Sequence, residues 1–268
     1  MSWRHGAVHI AFAGLVALAT ACTSTTSSSG TSDTVAVGEL PTEVETTTTT
    51  PVPSTQIGTS VTGNRVILIG DSVMASTAER HGGAMCDALV PLGWAVDVEA
   101  ETGQFASWGN KVLDAMAGQE FDVAVVLLGN NYLGDQDVYR REMERIVDRL
   151  SPALIVLSTV TEFQPDRREV NEVIADIAAA NSNVTVLDWA AATAADRTLT
   201  GPDHLHLGTK GKAALAAAVA TILGKAPSTA GRCLESTFVD DSHGSVTGTT
   251  TTTSPVTTET NAPDTTGV

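Results

Sequence analysis

Cysteine and positive charge are both scarce in this 268-residue chain, which has three cysteines and 15 Lys and Arg against 31 Asp and Glu. The formal net charge of −16 comes with no basic patch, which excludes nucleic acid as a partner. Acidity of this kind serves solubility outside the cell better than any specific contact. No Gly-x-Gly-x-x-Gly and no Gly-Lys-Ser/Thr loop follows the first apolar run of the interior, "RVILIGDSVMAS", so a nucleotide-binding turn is excluded there. The apolar run near the N-terminus, residues 10–19, is too short to span a bilayer.

That short run is read instead as an export signal. Arg4 supplies the positive charge ahead of it, and Ala19-Thr20-Ala21-Cys22 closes it. Two processing routes cut the same bond: a small-residue signal peptidase site, or a lipobox in which Cys22 is lipidated, with Ala19 standing where Leu is usual. Cysteine parity favours the lipobox, because lipidation of Cys22 leaves Cys86 and Cys233 as one candidate disulfide pair. The expected organisation is therefore a signal peptide over residues 1–22, a Thr/Ser/Pro-rich tether over 23–62, one domain over 63–235 and a Thr-rich tail over 236–268. Neither Thr-rich segment is expected to fold, since neither has enough apolar surface to bury. The chain is expected to be exported and monomeric, at the membrane by a lipid anchor only.

Within the domain, apolar runs alternate with helical patterns. Strands are expected at 65–69, 95–99, 123–128, 154–158 and 184–187, and helices at 73–90, 106–116, 136–149, 167–180 and 209–223. The continuous apolar stretch "VAVVLL" is that of a strand covered on both faces. This rhythm predicts a three-layer α/β/α fold around a five-stranded parallel sheet of flavodoxin-like order. In such an order the first and last helices share a face, which brings Cys86 and Cys233 to the same end of the domain.

Loops leaving the carboxyl ends of parallel strands line the site. Here they carry Gly70-Asp71-Ser72, then Gly103, then Gly129-Asn130-Asn131, then Glu162-Phe163-Gln164, and before the last helix Asp203-His204-Leu205-His206. Ser72 is a weak nucleophile without a base. His206 can be that base, with Asp203 orienting it from the same loop. The backbone N–H groups of Ser72 and Gly103 and the Asn131 amide can converge on a developing oxyanion. Asp71 is assigned to loop structure, and Glu162, Phe163 and Gln164 are candidates for substrate contact. A Gly-x-Ser-x-Gly elbow is excluded, because Met74 occupies its last position. A metal at Asp203, His204 and His206 lacks further ligands, so no metal and no cofactor are expected.

Taken in order, these blocks resemble the SGNH (GDSL-type) serine esterases and acyltransferases. "IGDSVM", "EVNEVIADIAAANSNVTVLDWA" and "DHLHLGTKG" are most similar to the extracytoplasmic SGNH domains of bacterial envelope O-acyltransferases. Tyr132 stands where many hydrolase members have Asp. The resemblance implies the SGNH hydrolase fold and an acyl-enzyme on Ser72. The expected substrates are O-acyl groups, above all O-acetyl, on envelope or environmental carbohydrate. Transfer to a cell-wall glycan, a lipid esterase or thioesterase, and a non-catalytic glycan-binding module are the alternatives.

Overall fold

The computed structural model describes residues 56–227 and 230–246. The expected signal segment, Cys22, most of the expected tether and the distal Thr-rich stretch lie outside these residues.

Six parallel strands form one sheet in the order β5-β4-β3-β1-β2-β6. They are β1 (Arg65–Gly70), β2 (Ala95–Ala100), β3 (Val123–Leu127), β4 (Leu154–Ser158), β5 (Val184–Leu187) and β6 (Arg232–Cys233). The order is the flavodoxin-like one, with a strand added at the β2 edge. β3 is wholly buried, as its unbroken run of apolar, β-branched residues requires. The helices are α1 (Ser72–Ala75), α2 (Ala84–Leu89), α3 (Ala106–Ala115), α4 (Gln136–Leu150), α5 (Arg167–Ala180), α6 (Trp189–Ala195) and α7 (Thr209–Leu223). α2 packs on α7, while α3, α4 and α5 pack on one another in sequence. The first and last helices thus share a face, and Cys86 on α2 is disulfide-bonded to Cys233 on β6.

Four features depart from the sequence reading. The sheet has a sixth strand, β6, whose two residues pair with Ala95 and Val96. So short a strand has no periodicity to read, and the disulfide fastens it. The helix expected over 73–90 is broken into α1 and α2 by a single 3₁₀ turn, Glu79–His81. Ser76 and Thr77 turn their hydroxyls back onto the carbonyls of Val73 and Met74 (2.7 Å each), and Gly82 and Gly83 follow at φ +106° and +71°. Back-bonding hydroxyls and left-handed glycines both end a helix. α6 was not expected at all. Asp188 caps it, accepting from Ala191 N at 3.0 Å ahead of an alanine-rich turn.

The domain is also longer than 63–235 at both ends. Ile57 is buried, and residues 236–246 lie along the carboxyl end of β2. Thr237 and Phe238 donate their amides to Glu99 (2.9–3.0 Å), and Asp240 donates its amide to Glu101 (2.9 Å). Asp241 closes the strap, accepting from Arg80 Nε (2.8 Å), His81 Nε2 (2.7 Å) and Thr102 N (3.3 Å). This segment is held by the carboxylates of Glu99 on β2 and of Glu101 just past its end, with Phe238 packed edge-on against Trp108.

Candidate active site

The chain turns from β1 into α1 at Asp71, and Ser72 is the first residue of that short helix. Asp71 is fully buried and ties two loops together. Its Oδ1 accepts from Val73 N (3.1 Å), its Oδ2 from Asn130 N (3.2 Å), and both oxygens from Asn130 Nδ2 (3.0 Å). Burial pushes the Asp71 carboxyl up to about 6, against the hydrogen bonds from Asn130 and Val73 that pull it down. The Asn130 carbonyl in turn accepts from buried Arg167 through Nε (3.0 Å) and Nη2 (2.7 Å). Asp71, Asn130 and Arg167 therefore fix the β1 and β3 loops against α5. Asn130 and Arg167 were missed in the sequence. Asn130 adjoins the more conspicuous Asn131, and nothing local to α5 marks Arg167 as buried.

Ser72 is only 3% exposed, and its Oγ lies 3.0 Å from His206 Nε2. His206 Nδ1 lies 2.7 Å from Asp203 Oδ2. Asp203 Oδ1 accepts from the Leu205 and His206 amides, 3.1 Å each. Partial burial raises the Asp203 carboxyl, but the His206 ring and these two amides outweigh it and hold it below its ordinary range. With its proton on Nδ1, the neutral ring donates to Asp203 and presents Nε2 as acceptor to the serine hydroxyl. The loop bearing both residues is stitched at its ends by the Thr200–Leu207 bridge and by Gly201 N to His206 O at 2.7 Å. His204, between them, is the one non-glycine residue with positive φ (59°) among the described residues. Such strain collects where a loop must aim side chains.

The second and third loops meet beside Ser72's strand. Gly103, at φ +70°, leaves no room for a side chain: a Cβ there would stand 2.8 Å from the His243 carbonyl oxygen. Asn131 donates one amide hydrogen to the Gln104 carbonyl (2.9 Å), which joins these loops and leaves its second hydrogen for another acceptor. Tyr132 hydrogen-bonds Glu169 and stacks edge-on against Tyr139. Glu162, Phe163 and Gln164 line a cavity of about 360 Å³ together with His204. Among the described residues no cluster of His, Cys, Asp or Glu is arranged to hold a metal ion.

No family model and no curated protein matches the sequence. Solved structures do. The lipase/acylhydrolase from Enterococcus faecalis is similar at 20% identity and a TM-score of 0.50, over 58% of this chain and 93% of that one. The Clostridium thermocellum family 3 carbohydrate esterase is similar at 15% identity and a TM-score of 0.50, over 60% of this chain and 95% of that one. The C-terminal catalytic domain of Streptococcus pneumoniae peptidoglycan O-acetyltransferase A is similar at 20% identity and a TM-score of 0.49, over 61% of this chain and 98% of that one. At these identities the likeness to the first two is one of fold. The class so defined is the SGNH-hydrolase fold, a parallel sheet between two helical layers, and the strand-end blocks of this chain resemble those of the same family.

Proposed function

We propose that the chain is a serine-dependent ester hydrolase acting on O-acyl groups, chiefly O-acetyl, of carbohydrate. The observation that carries this reading is the chain of hydrogen bonds from Ser72 Oγ through His206 to Asp203 at the carboxyl edge of the sheet. His206 Nε2 takes the serine proton as Oγ attacks the ester carbonyl, and Asp203 holds the ring's tautomer and stabilises the imidazolium. The carbonyl oxygen gathers negative charge and is received by the Ser72 and Gly103 amides and by the spare Asn131 hydrogen. As the tetrahedral intermediate collapses, the ester C–O bond breaks and the proton on His206 passes to the leaving alcohol. Water, activated by the same ring, then releases the acid from Ser72. A sugar hydroxyl in place of water would make the same intermediate a transferase step, so transfer differs only in the acceptor.

The carbohydrate assignment rests on the polar, aromatic-lined cavity at Glu162–Gln164 beside the His206 loop. Export fits the Cys86–Cys233 disulfide, since such bonds persist in oxidising compartments. The basic, apolar, small-residue start of the chain and Cys22 supply the expected signal and lipid anchor. The test is hydrolysis of p-nitrophenyl acetate and of acetylated xylan by purified protein. Both should proceed in the wild type and stop in Ser72→Ala, and a folded wild type that turns over neither ester would refute the reading.

A further inference from the structure

In the proposed mechanism the leaving alcohol must stand beside His206 Nε2, because that nitrogen returns the proton to it. The rest of the alcohol therefore extends toward the loop that carries His206, and away from the amides of Gly103 and Asn131. On that side lie two adjoining cavities of about 360 Å³ each. The nearer one has His204 in its wall with Phe163 and Arg168, and the farther one is lined by Thr161, Asp188 and the small residues at the start of α6. Glu162 and Arg197 belong to both and form the ridge between them. Cavities of a few hundred Å³ are of small-ligand size.

Three observations define the ligand chemistry. Phe163 carries the Arg167 guanidinium 4.8 Å from its ring centroid while lining the nearer cavity, so it offers a rigid platform for the apolar face of a sugar ring. Thr161 lines the farther cavity, and its Oγ1 is buried behind that wall without a hydrogen-bond partner among the described residues. A buried hydroxyl in that condition lowers its energy by bonding an incoming polar group. Finally, two arginines, Arg168 and Arg197, line the nearer cavity in a protein of net charge −16. Arg168 is held only loosely, 3.9 Å from Glu162, whereas the neighbouring Arg197 makes no ion pair among the described residues. The nearer cavity therefore has two arginines against the single carboxylate of Glu162, while the second carboxylate of the cleft, Asp188, lies in the farther part.

We infer that this two-part cleft holds the alcohol portion of the substrate and that this portion is a carboxylate-bearing sugar, its ring on Phe163 and its carboxylate on Arg197 and Arg168. The inference deepens the esterase reading and rests on it. A planar guanidinium pairs with carboxylate through parallel N–H bonds, which makes Arg the residue suited to selecting that group. The acyl group stays on the Ser72 side and is not selected by the cleft.

The experiment compares an O-acetylated glucuronate disaccharide with its glucuronamide counterpart, which has the same shape and no charge. Wild-type kcat/KM should be about tenfold higher for the glucuronate, the worth of one charge-assisted hydrogen-bonded pair. In Arg197→Ala the ratio of the two rates should fall to about one, in Arg197→Glu it should invert, and in the wild type it should shrink at high salt. Equal kcat/KM for the two sugars in wild type, or a preference that survives both Arg197 variants, overturns the inference while leaving Ser72-dependent turnover intact. If no ester is turned over by folded protein, the esterase reading is what fails. The cleft is then decided by calorimetric titration of Ser72→Ala with the same two sugars: tighter binding of the glucuronate supports it, and equal or no binding overturns it.

Discussion

At the scale of single residues, the site separates groups that react from groups that hold. In the proposed mechanism Ser72, His206 and Asp203 form the reacting chain, and Ser72→Ala or Asp203→Asn should remove several orders of magnitude of rate while the circular dichroism spectrum stays unchanged. Asn131 is expected to act in the transition state. Asn131→Ala should lower kcat by roughly 10²–10³-fold, the usual cost of one oxyanion donor. A change confined to KM would place Asn131 in substrate binding instead. Asp71 is a holding group, since it accepts from Val73 and Asn130 and touches no reacting atom. Asp71→Ala would leave the buried Asn130 amide without its partner. That variant should lose about 1–3 kcal/mol of stability in urea titration, besides misplacing Ser72. The hydrogen-bonded set Ser72, His206 and Asp203 was legible as a candidate in the sequence because these residue types are chemically conspicuous and fall in loops between readable elements. Asn130 and Arg167 were not, because Asn130 matters through its buried bonds to Asp71 and Arg167 through its bonds to the Asn130 carbonyl, and both depend on the assembled loops.

At the scale of elements, strand and helix positions were legible wherever the period was strong. α5 and α7 fall where the pattern places them, and the β3 run reads as a fully covered strand. The strap at residues 236–246 was illegible for a physical reason. It is held by amides donated to Glu99 and Glu101, and acidic residues at the end of a buried strand look like surface until their partners are known. The strap also bears on the site. Asp241 accepts from Thr102 N, and the His243 carbonyl packs where a Gly103 side chain would be, so both steady the turn at Gly103. Burial raises the Asp241 carboxyl, but Arg80 and His81 outweigh it and hold it below the ordinary range, so Asp241 is ionised in its clamp. Asp241→Ala should lower kcat roughly tenfold with little change in KM, as expected when a donor is slightly misplaced. An effect on KM alone would make the strap a substrate contact. The disulfide anchors the same element from the other side, closing a separation of 147 residues. Cys233→Ser should cost about 2–5 kcal/mol and raise hydrogen exchange first in β6 and the strap. Exchange that rises uniformly would contradict that order.

At the scale of the whole molecule, the buried carboxyls set how stability depends on pH. Burial pushes Glu99 up to about 7, aided by the nearby charge of Asp97, and pushes Asp71 up to about 6. Both therefore hold protons in the folded state at pH values where the unfolded chain has released them. Their contribution is full below the ordinary carboxylate range and is lost as pH rises through those folded values. Asp203 and Asp241, held below their ordinary range, act in the opposite sense and lose their contribution only in stronger acid. Thermal unfolding should accordingly show the highest Tm in mildly acidic buffer and a decline toward about pH 8, and Glu99→Gln should flatten the part of that decline near neutrality. A Tm that rises from about pH 5 to about pH 8 would contradict this balance.

The central claim is that Ser72 is a nucleophile activated by His206, and mass spectrometry after treatment with phenylmethylsulfonyl fluoride tests it most directly. The account predicts one sulfonyl adduct per chain, mapped to the peptide containing Ser72, and little or none in His206→Ala under the same conditions. A folded wild type that takes up no label, carries it elsewhere, or is labelled as fast without His206 would contradict it.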